Sequence, residues 1–256
     1  MIKKILVIAL ISMSFTFVTD RTTLYVIGDS TVRNTTSQKP DALWGWGSII
    51  QDYFDSTKLS VSNQAMAGRS TRTYLKEGRW DKVMSTLKAG DYVMMQFGHN
   101  DGAKPDTSKA GYRGVIRGVG EDSVVLNWND GKQEIVHTYG WYIRKFVRDT
   151  KAKGATPIVC SFIPRNDWKD GKVIRPKNNF GQYAEEVAKQ EGAFFIDLNT
   201  ITADKYDAMG QEAVKPLFPK EHTHTSYEGA KINAESVIDG LKKLASCKLN
   251  DFLKMK

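Results

Sequence analysis

Short apolar runs recur along the chain at 24–27, 59–63, 92–97, 156–162 and 194–198, separated by longer stretches with apolar residues at helical spacing. Runs of this length, bounded by polar and glycine-containing segments, predict β-strands, and the amphipathic stretches between them predict crossover helices. Helices are expected near 45–54, 80–88, 139–153, 179–191, 201–213 and 226–245. Strands and helices in alternation predict an α/β fold around a five-stranded parallel sheet.

Local signals support several of these boundaries. Charged residues from Asp149 to Lys153 lead into Gly154, a helix stop. Ser226 can cap the last helix, Glu228 sits in its first turn where the helix dipole favours negative charge, and Ala230, Ala234, Val237, Ile238 and Leu241 form one apolar stripe. Residues 111–137 break the alternation. Short strand-like segments at 115–119, 123–128 and 133–136 are separated by turn residues, and Asp130-Gly131 is a hairpin signal. The segment therefore reads as an inserted β-hairpin or small meander.

The N-terminus has a different pattern. Met1-Ile2-Lys3-Lys4 precedes an apolar run over 5–18, too short for a spanning helix of ~20 residues but suited to an export signal. Residues 1–19 are expected to be a signal peptide and 20–256 a single domain. The mature protein is then secreted or periplasmic without stable membrane association; a retained anchor is the alternative. With only two cysteines, Cys160 and Cys247, no disulfide framework is expected, and buried free thiols are the simpler reading.

A formal net charge of +8 falls by two when Lys3 and Lys4 leave with the leader. The positive residues are spread out, which argues against a nucleic-acid stripe and leaves an acidic polymer or simple solubility as the meaning of the charge.

Ligands of parallel α/β sheets gather at the carboxyl ends of the strands, so the chemistry is sought there. The first strand runs into Gly28-Asp29-Ser30-Thr31, where Ser30 could be a nucleophile or merely a helix cap. The second leads to Ala67-Gly68-Arg69-Ser70, where the Gly68 N–H could face an oxyanion. The third ends in Gly98-His99-Asn100-Asp101, with the Asn100 amide as a further donor. Before the last helix, Glu221-His222-Thr223-His224 supplies a base and a nearby carboxylate.

Taken in order, these four blocks resemble the SGNH hydrolase superfamily, with its serine, glycine, asparagine and histidine at Ser30, Gly68, Asn100 and His224. The longer strings are similar to the rhamnogalacturonan acetylesterase group, over roughly 24–241. The resemblance implies a three-layer α/β/α flavodoxin-like fold, a serine esterase releasing acetate from acetylated pectin, and no metal or organic cofactor. It implies Ser30 as nucleophile, His224 as general base, and an oxyanion hole from Ser30 N–H, Gly68 N–H and the Asn100 amide. The group has aspartate three residues before the catalytic histidine, where this chain has Glu221; the longer side chain can still orient the imidazole.

Around these blocks, Asp29 and His99 are expected to support their loops by hydrogen bonds rather than to react. His222 and His224 could hold zinc, but no further ligands stand at suitable spacing. Arg69 and Arg72 are candidates for a galacturonate carboxylate. Of Trp44 and Trp46, one is expected against the sugar and the other in the core. The expected partner is an acetylated, acidic polysaccharide, with no nucleic acid. Acetylated xylan or another glycan, and a noncatalytic carbohydrate-binding relative, are the competing readings.

Overall fold

The computed structural model describes residues 21–254 apart from 36, 38 and 40. The leader expected at 1–19 lies outside the described residues.

In chain order the strands are β1 Thr22–Gly28, β2 Leu59–Asn63, β3 Tyr92–Gln96, β4 Ser123–Asn127, β5 Gln133–His137, β6 Thr156–Cys160, β7 Trp168–Lys169, β8 Lys172–Val173 and β9 Phe194–Ile196. The α-helices are α1 Thr71–Lys76, α2 Arg79–Met84, α3 Tyr139–Ala152, α4 Phe180–Gln190, α5 Leu198–Met209, α6 Gln211–Val214 and α7 Tyr227–Lys242. Five parallel strands form the central sheet in the order β2-β1-β3-β6-β9. This is the flavodoxin-like arrangement, in which the chain reverses its winding between β1 and β3 and opens a crevice at their carboxyl ends.

The strands read as unbroken apolar runs because both faces are covered. Leu24, Val26, Met94, Ile158 and Ile196 pack on one side against Trp46, Ile50 and the Ala230–Leu241 stripe of α7. Their neighbours Tyr25, Ile27, Val93, Met95 and Val159 pack on the other against residues of α1 to α4. Burying a large apolar side chain contributes ~1.5–3 kcal/mol, so these two layers dominate the stability of the sheet.

Several elements depart from expectation for identifiable reasons. The helix expected at 45–54 is two 3-10 turns, Trp46–Ser48 and Ile50–Tyr53. The Trp46 and Gly47 amides donate to Thr31 O and Val32 O, so they tie this segment to the loop after β1. The helix expected at 201–213 begins earlier, where Asp197 accepts from Thr200 N–H, and breaks at Gly210 (φ +83°). Helix α1 was not anticipated; Ser70 and Thr73 close a reciprocal capping box at its start. The 111–137 insertion is an antiparallel hairpin, β4 with β5, and the strand expected at 115–119 is reduced to a single bridge between Ile116 and Thr138.

Candidate active site

Strand β1 delivers the first block. A Cβ on Gly28 would lie 2.6 Å from Gln96 O, so glycine allows β1 and β3 to end this close together. Asp29 is fully buried, and its Oδ1 accepts from both the N–H (2.9 Å) and the hydroxyl (2.8 Å) of Thr31. The Gln96 amide donates to Thr31 Oγ1 (2.7 Å), and the Trp46 indole donates to Gln96 Oε1 (2.8 Å). A buried chain of four side chains therefore holds the single turn that carries Ser30. Because each unpaired buried polar group costs ~1–3 kcal/mol, losing one member loosens the turn as well as the core. Asp29 supports its loop as expected, and Trp46 is the core member of the tryptophan pair.

The last block reaches the same place from the loop before α7. His224 Nε2 lies 2.7 Å from Ser30 Oγ, and His224 Nδ1 lies 2.6 Å from Glu221 Oε1. Glu221 also accepts from the backbone N–H groups of His224 (2.7 Å) and Thr223 (2.9 Å). Burial raises the Glu221 carboxyl, but the His224 N–H, the imidazole and the Thr223 N–H outweigh it and hold the group below its ordinary value. An ionised Glu221 favours the proton on Nδ1, which leaves Nε2 free to accept from the Ser30 hydroxyl. Glutamate thus spans the distance to the imidazole directly.

The second and third blocks converge on the same crevice. Met66 N–H donates to Gly28 O (3.0 Å), drawing the loop after β2 onto the end of β1. Gly68 turns there with φ +74°, a conformation that favours glycine. Asn100, after β3, donates from Nδ2 to Arg69 O (3.2 Å) and accepts at Oδ1 from the Arg113 guanidinium (2.9 Å). That leaves one Asn100 N–H uncommitted. Among the described residues, neither Ser30 N–H nor Gly68 N–H has a protein acceptor. Three neutral donors at adjacent strand ends can stabilise a negative oxygen.

Asp101 binds this side together, since its Oδ1 accepts from the N–H (2.9 Å) and hydroxyl (2.6 Å) of Thr71 at the start of α1. Burial pushes the Asp101 carboxyl up to about 7, with the Thr71 hydrogen bonds opposing and nearby Asp29 adding to the rise.

Two expectations require correction. Arg72 is not a substrate ligand: it is 1% exposed, and its Nε and Nη2 each lie 2.8 Å from an oxygen of Glu134 on β5. Its Nη1 donates to Gly111 O and Gly114 O, so its fixed donor fork is consumed by the insertion. His99 makes no hydrogen bond to a neighbouring loop; both ring nitrogens are enclosed without a partner, and the ring packs edge-on to Phe162 at 5.0 Å. Burial lowers His99 to about 4, so it stays neutral.

The remaining candidates have partial commitments. Arg69 is half-buried and engages both oxygens of Glu77 (2.9 and 3.2 Å) and Ala67 O (2.9 Å), bracing the Gly68 loop. Trp44 is half-buried beside the histidine loop, bonded to Thr225 through its backbone and edge-on to Tyr227 at 5.1 Å. His222 pairs with Asp167 at 2.7 Å. Cys160 and Cys247 are buried free thiols. Arg113, which donates to Asn100, was missed because its partner lies in another loop.

The profile of the GDSL-like lipase/acylhydrolase family matches residues 26–232. A rhamnogalacturonan acetylesterase of Emericella nidulans is 36% identical over 90% of this chain and 89% of its own length. A probable rhamnogalacturonan acetylesterase of Bacillus subtilis is 26% identical over 86% of this chain and 93% of its own. The solved structure of the Bacillus subtilis protein YxiM superposes with a TM-score of 0.71 at 24% identity, covering 89% of this chain and 58% of that one. An acetylxylan esterase from Geobacillus stearothermophilus shares the fold with a TM-score of 0.54 at 16% identity, covering 86% of this chain and 94% of that one. The chain belongs to the GDSL-like lipase/acylhydrolase family, the SGNH hydrolases, and is a carboxylic ester hydrolase.

Proposed function

We propose that this protein is an exported carbohydrate acetylesterase that removes O-acetyl groups from acetylated rhamnogalacturonan or a related pectin, through an acetyl-enzyme on Ser30. The observation that carries the reading is the Ser30–His224–Glu221 relay, at 2.7 and 2.6 Å, with Gly68 and Asn100 in the loops after the neighbouring strands β2 and β3. The acetylesterase relatives from Emericella nidulans and Bacillus subtilis support the acyl group and the pectic substrate.

In the first step Ser30 Oγ attacks the acetyl carbonyl while its proton passes to His224 Nε2. Glu221 steadies the imidazolium, and the carbonyl oxygen, now negative, accepts from Ser30 N–H, Gly68 N–H and the free Asn100 N–H. The C–O bond to the sugar then breaks, and His224 returns the proton to the sugar oxygen. Water, deprotonated by His224, attacks the acetyl-serine; acetate leaves and Ser30 regains its proton. Trp44 offers an aromatic edge to the sugar beside the histidine loop.

Acetate release should be measured from acetylated pectin and acetylated xylan, beside hydrolysis of a small chromogenic acetate and its longer acyl homologues. The reading expects acetate over longer chains and pectin over xylan. Preference for xylan overturns the substrate, and preference for long acyl chains overturns the acetylesterase.

A further inference from the structure

We infer that Arg113 is a positioning residue of the oxyanion site, which holds and polarises the Asn100 amide, and that the 111–137 insertion holds Arg113 in place. The inference rests on the reading of Asn100 as an oxyanion donor. An asparagine side chain can turn its amide end for end with little change in shape, and the wrong orientation would present Oδ1 to a developing negative charge. Here both ends are fixed. A guanidinium can only donate and a backbone carbonyl can only accept, so Arg113 on one side and Arg69 O on the other admit a single orientation of the amide.

The contact also changes the donor. A charge-assisted hydrogen bond to Oδ1 draws electron density toward the oxygen and leaves the remaining N–H a stronger donor. The guanidinium lies beside the second donor too, with Nη1 3.8 Å from where a Cβ on Gly68 would stand. A positive charge next to two oxyanion donors favours the tetrahedral intermediate over the neutral ester.

Arg113 is exposed, and what secures it is the backbone on each side. It ends the 3-10 turn Gly111–Arg113, and the carbonyls of Gly111 and Gly114 accept from buried Arg72 (3.0 and 3.1 Å). Arg72 is clamped by Glu134 of the hairpin, which also accepts from Lys76 and the Trp128 indole. Val115 N–H donates to Asp101 O, tying the same segment to the residue after Asn100. Contacts therefore run without interruption from the hairpin to the oxyanion amide.

The test is a double-mutant cycle on the full chain with a small neutral chromogenic acetate, comparing Asn100→Ala, Arg113→Met and the double variant, with Arg113→Lys as the conservative change. Arg113→Met should lower kcat by ~10- to 100-fold with KM little changed, and Arg113→Lys should recover part of the loss. In the Asn100→Ala background, Arg113→Met should cost less than ~2-fold more, because its target is gone. Additive losses, or an effect confined to KM, overturn the inference. If Arg113→Met does not fold, the cycle is run with Arg113→Lys and read by the same additivity. A folded wild-type chain without acetate turnover overturns the esterase reading instead.

Discussion

The Ser30–His224–Glu221 side of the site is a direct relay of two short hydrogen bonds, whereas the Asn100 side is suspended from a longer series of contacts. Glu221 reaches His224 from three residues away, and its side chain is 44% exposed. Asn100 instead depends on Arg113, Arg113 on carbonyls held by Arg72, and Arg72 on Glu134, which lies 62 residues further along. Only the Glu221–His224 pair is set by local backbone, since Ser30 meets His224 across the chain; the donors opposite draw on a longer series of tertiary contacts. Damage to the first side should abolish chemistry and spare the fold; damage to the second should weaken both.

The largest effect is expected at the nucleophile. Ser30→Ala should lower kcat for acetate esters by at least ~10⁴-fold with an unchanged melting temperature, because its hydroxyl meets His224 rather than the core. Activity near the wild-type level would break the short-contact side of the comparison. Glu221→Gln should cost roughly 10³-fold, less than the ~10⁴-fold of a buried triad aspartate, because water can reach its exposed carboxylate position. An unchanged kcat would mean that the imidazole is oriented by the backbone alone.

Asn100→Ala should cost ~100- to 1000-fold in kcat, the usual loss for one oxyanion donor. KM should change little, because the interaction strengthens in the transition state. A rise in KM at constant kcat would make Asn100 a substrate ligand instead.

The hairpin provides a test in stability. Glu134→Gln leaves the buried Arg72 guanidinium without its anion and should destabilise the protein by about 3 kcal/mol, read from denaturant midpoints. Burial raises the Glu134 carboxyl, but hydrogen bonds and charges from Arg72 and Lys76 prevail and take it from an ordinary 4.5 down to about 2. A depressed carboxyl stabilises the fold above the unfolded value and loses that contribution as pH falls through the folded one. The gap between wild type and Glu134→Gln should be widest above pH 4.5 and close toward pH 2. A gap independent of pH would mean that the clamp works by shape and not by charge. The smallest effect is expected from salt: turnover of an acidic pectin by this basic chain should fall more than turnover of a neutral ester.

These two sides were unequally legible in the sequence. All five strands of the sheet stood out because strands covered on both faces are runs such as Tyr92–Gln96, with no polar face to blur them. The four reactive blocks stood out because each lies at a strand end or just before α7, in one order along the chain. Glu221 could be proposed from its spacing to His224 alone. Arg72 could not be judged in this way, since an arginine beside a glycine turn reads alike whether it faces solvent or a buried carboxylate. Its partner is set by the hairpin's position over α1, a property of tertiary packing. Arg113 carried no signal for the same reason. The segment expected as a helix at 45–54 misled because Gly45 and Gly47 press against the backbone of Val32 and Arg33 and the amides of Ser48, Ile49 and Asp52 bond three residues back, which apolar spacing cannot reveal.

The central claim is that Ser30 carries the acetyl group during turnover. Rapid mixing with a small chromogenic acetate, acid quench and peptide mass mapping tests it most directly. A single acetyl group on the peptide containing Ser30, formed within the first turnover and absent from the Ser30→Ala variant, is the result this account predicts. Turnover that proceeds with no acetyl group on Ser30, or with the label on another residue, would contradict it.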